Sequence, residues 1–232
     1  MTALHHAAPA LLAPADLSKL EHDALVIVTH APLGERALAL GPVATAAVEA
    51  LLRADAASAK GGRPAAIVPW PSAPGGRAVV ALLPALADDT DDVRAFAEAT
   101  SAAVARAVEA GARSPVLVVS HPAEARFPHA KEVAALAGLA SQWSPLEARE
   151  AGKARPAAEV LTVVDLGEAR AKQLAAIELG RRLCRDIAGT EPERMAPRKV
   201  AALCLESFAG TGVTVDVLED VASYPQIGRA SC

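Results

Sequence analysis

The chain has 232 residues, of which 52% are hydrophobic, 22% are charged and only 3% are aromatic. This composition indicates a globular protein whose core is built mainly from Ala, Val, Leu and Ile. The formal net charge of −4 excludes the basic footprint of a nucleic-acid-binding protein. Because no apolar run approaches the roughly 20 residues that cross a bilayer, we expect no membrane partner.

The compartment is indicated by the start of the chain and by its cysteines. Residues 1–6, Met-Thr-Ala-Leu-His-His, lack the basic and apolar regions of a secretory signal. Cys184, Cys204 and Cys232 are odd in number and have no metal-ligand spacing. Such a chain suits a reducing compartment, and we expect it to be cytoplasmic.

Short β-rich runs alternate with helical segments after a weakly patterned start at 1–22. We predict strands at 24–29, 65–70, 77–83, 115–120 and 158–165, and helices at 42–58, 88–112 and 129–141. The runs at 65–70 and 77–83 flank Pro-Gly-Gly and predict an antiparallel hairpin. This order of elements predicts a three-layer α/β fold with a mixed, mostly parallel sheet and helices on both faces.

The pattern changes to a long helix over 167–188, followed by Gly189 as a C-terminal stop. The apolar face of this helix is predicted from helical spacing, and its members are Leu174, Ile177, Gly180, Cys184 and Ile187. Its polar side carries Glu178, Arg181, Arg182 and Arg185. Those charges fit either a solvated face or a contact between domains or subunits.

A second helix and a strand are predicted further along the chain. Pro197 suits the first position of this helix, and Gly210 and Gly212 suit its end. Its apolar stripe is Val200, Leu203, Cys204 and Phe208. Core packing is therefore the expected role of Cys184 and Cys204. Residues 213–217, Val-Thr-Val-Asp-Val, predict a strand.

Residues 185–197 read Arg-Asp-Ile-Ala-Gly-Thr-Glu-Pro-Glu-Arg-Met-Ala-Pro. This stretch resembles the junction between the N-terminal and two-metal catalytic domains of the cytosolic leucyl aminopeptidases. In that family a long helix commonly ends in Arg-Asp-Leu and is followed by Val-Asn-Thr-Pro-Pro-Asn-x-Met/Leu-Thr-Pro. The matching residues are Arg185, Asp186, Thr190, Pro192, Met195 and Pro197. Residues 227–231, Ile-Gly-Arg-Ala-Ser, resemble the next family segment.

The resemblance implies a domain order for the chain. Residues 1–166 would be an N-terminal macro-like α/β domain, 167–189 a linker helix, and 190–232 the truncated start of the catalytic domain. The implied function is that of a non-catalytic N-terminal region with roles in assembly, often hexameric, and in active-site access. A full-length relative would release N-terminal amino acids from peptides with two divalent ions, zinc or manganese.

The metal-binding motifs of that family are absent from this sequence. Its Gly-Lys-Gly-x-x-x-Asp and Asn-Thr-Asp-Ala-Glu-Gly-Arg patterns do not occur, and the chain contains no Asn. Two-metal hydrolysis needs carboxylates that hold both ions. We therefore expect no catalytic, cofactor-binding or metal-binding residue here, and no peptidase activity from this polypeptide alone. Peptide substrate is expected only together with a catalytic domain.

Two other functions fit the same sequence. The chain would be a stand-alone macro-like domain that binds ADP-ribose or another nucleotide, or a catalytically dead subunit that assembles with an active relative. A shared fold does not decide between these functions.

Several further groups have a structural interpretation that we favour over a chemical one. The acidic run Asp88, Asp89, Asp91 and Asp92 suits the start of a helix better than a cation site. His30 and the pair Ser120–His121 lie at predicted strand ends without a catalytic pattern around them. The glycines at 75–76 and 210–212 suit turns better than a phosphate cradle. His5–His6 fits an unstructured start.

Overall fold

A computed structural model of the protein describes residues 8–14, 20–31, 41–86, 90–122 and 127–220. Several sequence predictions lie outside these residues: His5–His6, Asp88 and Asp89, the segment 227–231, and Cys232.

The described strands are β1 (Ala10–Leu12), β2 (Ala24–His30), β3 (Ala66–Pro69), β4 (Arg77–Leu83), β5 (Pro115–Val119) and β6 (Val160–Val163). The described α-helices are α1 (Pro42–Ala54), α2 (Val93–Glu109), α3 (Ala130–Ala140), α4 (Leu146–Glu150), α5 (Glu168–Gly189) and α6 (Pro197–Phe208). Short 3-10 turns occupy Ala56–Lys60 and Pro74–Gly76.

The strands form one sheet in the order β1-β6-β5-β2-β4-β3. The pairs β1–β6, β6–β5, β5–β2 and β2–β4 are parallel, and β3–β4 is the antiparallel hairpin. Helices are needed to connect parallel strands, which explains the alternation seen in the sequence. The predicted three-layer α/β fold with a mixed, mostly parallel sheet is confirmed.

Each face of the sheet carries its own apolar core. In β2, Val26 and Val28 point to the face that packs against α2, α3 and the start of α5. Leu25 and Ile27 alternate with them and point to the face covered by α1. Because β2 lies in the middle of the sheet and both its faces are covered, all seven of its residues are buried.

Two short elements were missed by the sequence prediction. Strand β1 lies in a stretch that we described as weakly patterned, and it pairs with β6, with Leu11 opposite Leu161. Helix α4 lies between the helix predicted at 129–141 and the strand predicted at 158–165, where we predicted no element. Three and five residues are too few for a recognisable period, so only their contacts stabilise these elements.

The chain divides into two compact units, Met1–Cys184 and Arg185–Cys232. The second unit contains the end of α5, a turn at Glu191 and helix α6. The strand predicted at 213–217 is wrong, because these residues carry no regular secondary structure. A strand is stabilised by pairing with a neighbour, and Val213 and Val217 are instead exposed. The domain boundaries implied by the family resemblance stay a prediction.

A search of the described helices finds no segment with the length and apolar character of a membrane span.

Candidate functional site

Asp92, from the acidic run at 88–92, caps helix α2. The Asp92 carboxylate accepts the backbone N–H of Arg94 and pairs with its guanidinium at 2.8 Å. The hydrogen bond from the Arg94 side chain, together with that from its backbone N–H, holds the pKa of Asp92 below its usual value. Within the described ranges, no group of three or more His, Cys, Asp or Glu residues is placed to hold a metal ion.

The strand-end histidines belong to an aromatic cluster. His30 meets the ring of Phe96 edge to face at 6.1 Å, and Phe96 meets His121 at 6.3 Å and Phe127 at 5.8 Å. The Nδ1 atom of His121 lies 2.8 Å from the carbonyl oxygen of Pro122. These contacts support the packing role that we favoured.

Ser120 lies on the other side of the sheet from that cluster. Val116 and Val118 point to the face covered by α1, and Ser120, two residues further along, points to the same face. His30, by contrast, packs on Phe96 of helix α2. Neither His30 nor His121 is therefore placed to act as a general base for Ser120.

The glycine pairs lie in turns. Gly75 and Gly76 belong to the 3-10 turn that joins β3 to β4, both with positive φ. Gly210 follows α6, also with positive φ. These positions agree with the turn interpretation and place neither pair between a strand and a helix N-terminus.

Helix α5 buries a different face from the one that the sequence predicts. Of the predicted apolar face, Leu174 is buried, but Ile177 is 42% exposed and Gly180 and Cys184 are also exposed. Glu178 is 0% exposed and Arg182 is 4% exposed. The predicted apolar face and the core role of Cys184 are therefore wrong. For Glu178 and Arg182, the solvated-face alternative is wrong as well.

The buried charges of α5 compensate each other. The Nε atom of Arg182 lies 3.4 Å from Oε1 of Glu178, one helical turn away. The Nη2 atom of Arg182 donates a hydrogen bond to the carbonyl oxygen of Leu139, with 2.8 Å between the two atoms. That carbonyl belongs to the last turn of α3, where helix carbonyls lack partners within the helix. A charged pair is buried at acceptable cost because each charge faces its opposite.

Arg181 adds a second, outer cation to the same carboxylate. Its Nη1 atom lies 3.6 Å from Oε2 of Glu178, and its side chain is 47% exposed. Glu178 thus faces one buried and one solvated arginine. Its spacing to Arg182 is the i,i+4 spacing of a helical ion pair, which is the signal in the sequence for this pair.

The residues of the junction motif lie in the second unit. Arg185 and Asp186 belong to the last turns of α5, and Thr190 follows its end. Pro192 and Met195 lie in the turn that leads to α6.

Glu191 closes that turn by accepting the backbone N–H groups of Glu193 and Arg194. These hydrogen bonds, that from Glu193 first, lower the pKa of Glu191. Pro197 begins α6, as predicted.

Comparison with curated proteins gives one short match. No protein-family model matches the chain. The Caenorhabditis elegans protein W07G4.4, whose name assigns it provisionally to the aminopeptidases, is 36% identical over 77 residues. The match covers 33% of this chain and 14% of that protein.

Comparison with solved structures covers far more of the chain. A tomato leucine aminopeptidase mutant superimposes with a TM-score of 0.60 at 16% identity, over 88% of this chain and 43% of that one. Leucyl aminopeptidase from Leishmania major, solved with actinonin, superimposes with a TM-score of 0.54 at 21% identity, over 87% of this chain and 39% of that one. The bottromycin maturation enzyme BotP, solved with Mn, superimposes with a TM-score of 0.51 at 22% identity, over 80% of this chain and 36% of that one.

At sequence identities this low, structural similarity shows a shared fold. The chain spans less than half the length of each of these structures. The resemblance inferred from the sequence is thereby confirmed at the level of fold: over most of its length, the chain folds like solved leucine aminopeptidases.

Proposed function

We propose that this chain is the non-catalytic N-terminal region of a leucyl-aminopeptidase-like metallopeptidase of the cytoplasm. The observation that carries the proposal is the fold likeness, which covers 88% of this chain but 43% of the tomato enzyme. The junction motif at 185–197 and the short match to a C. elegans aminopeptidase-like protein also support it. Release of N-terminal amino acids from peptides would belong to the full-length protein.

The described residues favour a non-catalytic role for this region. A two-metal peptidase needs several carboxylates around its ions, and the described part of this chain has no such group. One structure with the same fold was solved with Mn. Two divalent ions, zinc or manganese, would therefore be held by a catalytic domain that is not part of this sequence.

A role in assembly is the second part of the proposal. The part of α5 that belongs to the first unit is anchored to α3 by Arg182, yet it turns Ile177 and Leu179 outward, 42% and 59% exposed. Large apolar side chains that protrude from an anchored helix suit a contact with another domain or subunit. We expect a homo-oligomer, a hexamer if the family pattern holds, in which α5 shapes access to the active site.

Two measurements test the proposal. The purified chain is assayed with leucine p-nitroanilide and either Mn²⁺ or Zn²⁺, and we expect no hydrolysis above the metal-only rate. The native gene product is then sized in its source cells, and we expect about twice the mass of this chain, as 43% coverage implies. Metal-dependent hydrolysis by the chain alone would overturn the non-catalytic assignment.

The assembly role needs its own measurement. The mass of the full-length protein in solution is determined by light scattering, for the native sequence and for variants I177E and L179E. We expect both variants to shift the oligomer toward smaller species. A matched change at the exposed Lys172, K172E, serves as the control on the same helix. Equal assembly of all four proteins would contradict a role for α5.

A further inference from the structure

A row of exposed residues runs along the side of α5 that faces away from the buried ion pair. Ile177 is 42% exposed, and Gly180 and Cys184 are exposed as well. Because three and four residues separate them, they lie on one side of the helix. Gln173, four residues before Ile177, is also exposed and extends this row. We call these four residues the outer row.

The outer row stays at the surface because the opposite side of α5 is fixed. Glu178 and Arg182 are buried there as an ion pair, and Arg182 donates a hydrogen bond to the carbonyl oxygen of Leu139 in α3. A rotation of the helix that buried Ile177 would break this hydrogen bond. The outer row is therefore available to another molecule.

Gly180 gives the outer row a notch that packing within the chain does not explain. In the described structure, a Cβ atom at this position would meet nothing within 4 Å. Glycine weakens the middle of a helix relative to alanine, and here no neighbour requires it. When helices pack, side chains that protrude from one fit into depressions on the surface of the other. A missing side chain on an exposed helix suits such a contact.

The outer row is complementary to itself when a second copy of α5 runs antiparallel. Its spacing of four, three and four residues is that of the seam between paired helices. In an antiparallel pair matched about the middle of the row, Ile177 of each copy lies opposite Gly180 of the other. Gln173 then lies opposite Cys184. The bulky apolar side chain of the row thus meets the notch, and two-fold symmetry repeats this contact.

The charges near the outer row favour a second copy over a partner of opposite charge. The four members of the row are uncharged. Arg181, beside the row, lies 3.6 Å from the carboxylate of Glu178. Lys172 is about a third of a turn away from the row, on the other flank of the exposed side. Charged partners are recognised by complementary charges, and the row offers none.

We propose that the outer row joins two copies of this chain through antiparallel α5 helices, with Ile177 of each copy packed on Gly180 of the other. This inference rests on the assembly role proposed above and names the partner surface, which that role does not specify. The whole row belongs to the first unit, so the contact does not depend on a catalytic domain.

The first test measures self-association of the 232-residue chain by sedimentation velocity, with a reductant that keeps Cys184 a thiol. We expect a dimer fraction that grows with concentration. G180L fills the notch and should weaken association at least about 10-fold. K172L adds the same side chain away from the row and should leave association unchanged.

The same variant separates a lost contact from a folding defect. In the dilute, monomeric chain, G180L should raise the thermal midpoint by roughly 2–4 °C, because leucine favours a helix and the Cβ position is open. A contact between copies is the reason why a change that stabilises the monomer weakens the dimer.

The second test determines the direction of pairing from disulfide formation under mild oxidation. An antiparallel pair brings residue 173 of one copy beside Cys184 of the other, so Q173C should give a linked dimer. Q173C combined with C184S should not, and neither should K172C. The native chain should stay unlinked, because its two Cys184 residues are offset by about 16 Å along the helices. A disulfide spans at most about 7 Å between Cα atoms.

Two kinds of result would overturn the pairing. In the first, the native chain stays monomeric at every concentration, or G180L associates as well as the native chain. In the second, Q173C gives no more linked dimer than K172C, or the native chain links through Cys184, as a parallel pair would.

Failure of the pairing is distinguishable from failure of the proposed function. The non-catalytic assignment is tested by hydrolysis of leucine p-nitroanilide, which the pairing does not affect. If I177E and L179E disrupt the full-length oligomer and G180L does not, α5 contacts a different surface in that assembly. The assembly role would then stand, and the pairing of two outer rows would be wrong.

Discussion

Glu178 and Arg182 face each other one turn apart on α5, with 3.4 Å between Oε1 and Nε and almost no solvent contact. The arginine also reaches across to the carbonyl of Leu139 in α3. One ion pair therefore fastens a helix that leaves Ile177 and Leu179 exposed. This arrangement orients α5 in the first unit.

Removal of the carboxylate charge should destabilise the first unit. In E178Q, the Arg182 guanidinium stays buried without a compensating charge, and we expect the free energy of unfolding to fall by about 3 kcal/mol. Urea denaturation measures this change. The matched variant R181Q removes the exposed cation next to the same carboxylate and should cost less than about 1 kcal/mol. Equal losses in both variants would show that burial of the pair has no energetic role.

Two neighbouring glycines should respond differently to the same substitution. Gly75 and Gly76 both have positive φ, which disfavours any side chain by about 1–2 kcal/mol. A Cβ atom on Gly75 would also clash with the carbonyl oxygen of Asp23, whereas one on Gly76 would meet nothing within 4 Å. We expect G75A to lower the thermal midpoint much more than G76A. Similar midpoints for the two would argue against the close approach of the hairpin turn to Asp23.

The cap of α2 should make stability depend on acid pH. The hydrogen bonds from the side chain and backbone of Arg94 place the pKa of Asp92 in the folded protein below its usual value of 3.8. The contribution of the ionised carboxylate is therefore fully present above pH 3.8 and is lost as the pH falls through the lower, folded pKa.

Thermal midpoints between pH 6 and pH 2 test this linkage. D92N keeps a capping oxygen but no titrating group, so its midpoint should fall less on acidification than that of the native chain. D92A loses the cap and should be less stable at every pH. A native profile that runs parallel to that of D92N would contradict the assigned contribution of Asp92.

A better cap should stabilise α6. Ala196 precedes Pro197 and makes no side-chain hydrogen bond to the first turn, whereas the family pattern has Thr at this place. A196T supplies a hydroxyl for the N–H groups of residues 198 and 199 and should stabilise the helix by about 1 kcal/mol. Slower amide hydrogen exchange over 198–203 measures the gain. A209T, at the C-terminal end of the same helix, should bring no such gain.

The exposure of Cys184 should be visible in its chemistry. We expect a maleimide to label Cys184 in the folded protein before it labels Cys204, which is partly buried. Peptide mapping by mass spectrometry identifies the labelled residue. Preferential labelling of Cys204 would mean that the helix buries the face that its sequence pattern predicts.

The layered fold was predictable because its signals are local. Buried strands such as β2 and β5 read as continuous apolar runs, and the Pro-Gly-Gly turn marks the hairpin between β3 and β4. Pro197 could be placed at the start of α6 because a missing N–H is harmless there. Strand β1 was not predictable, since three residues show no period and the strand forms by pairing with β6.

The candidate sites were less predictable than the fold. Glu178 and Arg182 have the spacing of a helical ion pair, but that spacing is ordinary on a solvated helix face and does not mark a buried pair. Only the packing of α5 against α3 buries them. The strand expected at 213–217 illustrates the same limit, because pattern alone supplies no pairing partner.

By itself, the sequence determined the alternation of the longer strands and helices, the hairpin turn, the start of α6 at Pro197, and the resemblance to the leucyl aminopeptidases at 185–197. The tertiary structure decided which side of α5 is buried. Helical periodicity assumes that charges face water, which holds unless the surface opposite supplies compensating groups. Here Glu178 neutralises Arg182 and the carbonyl of Leu139 accepts its hydrogen bond, so this charged pair is buried and Ile177 is exposed.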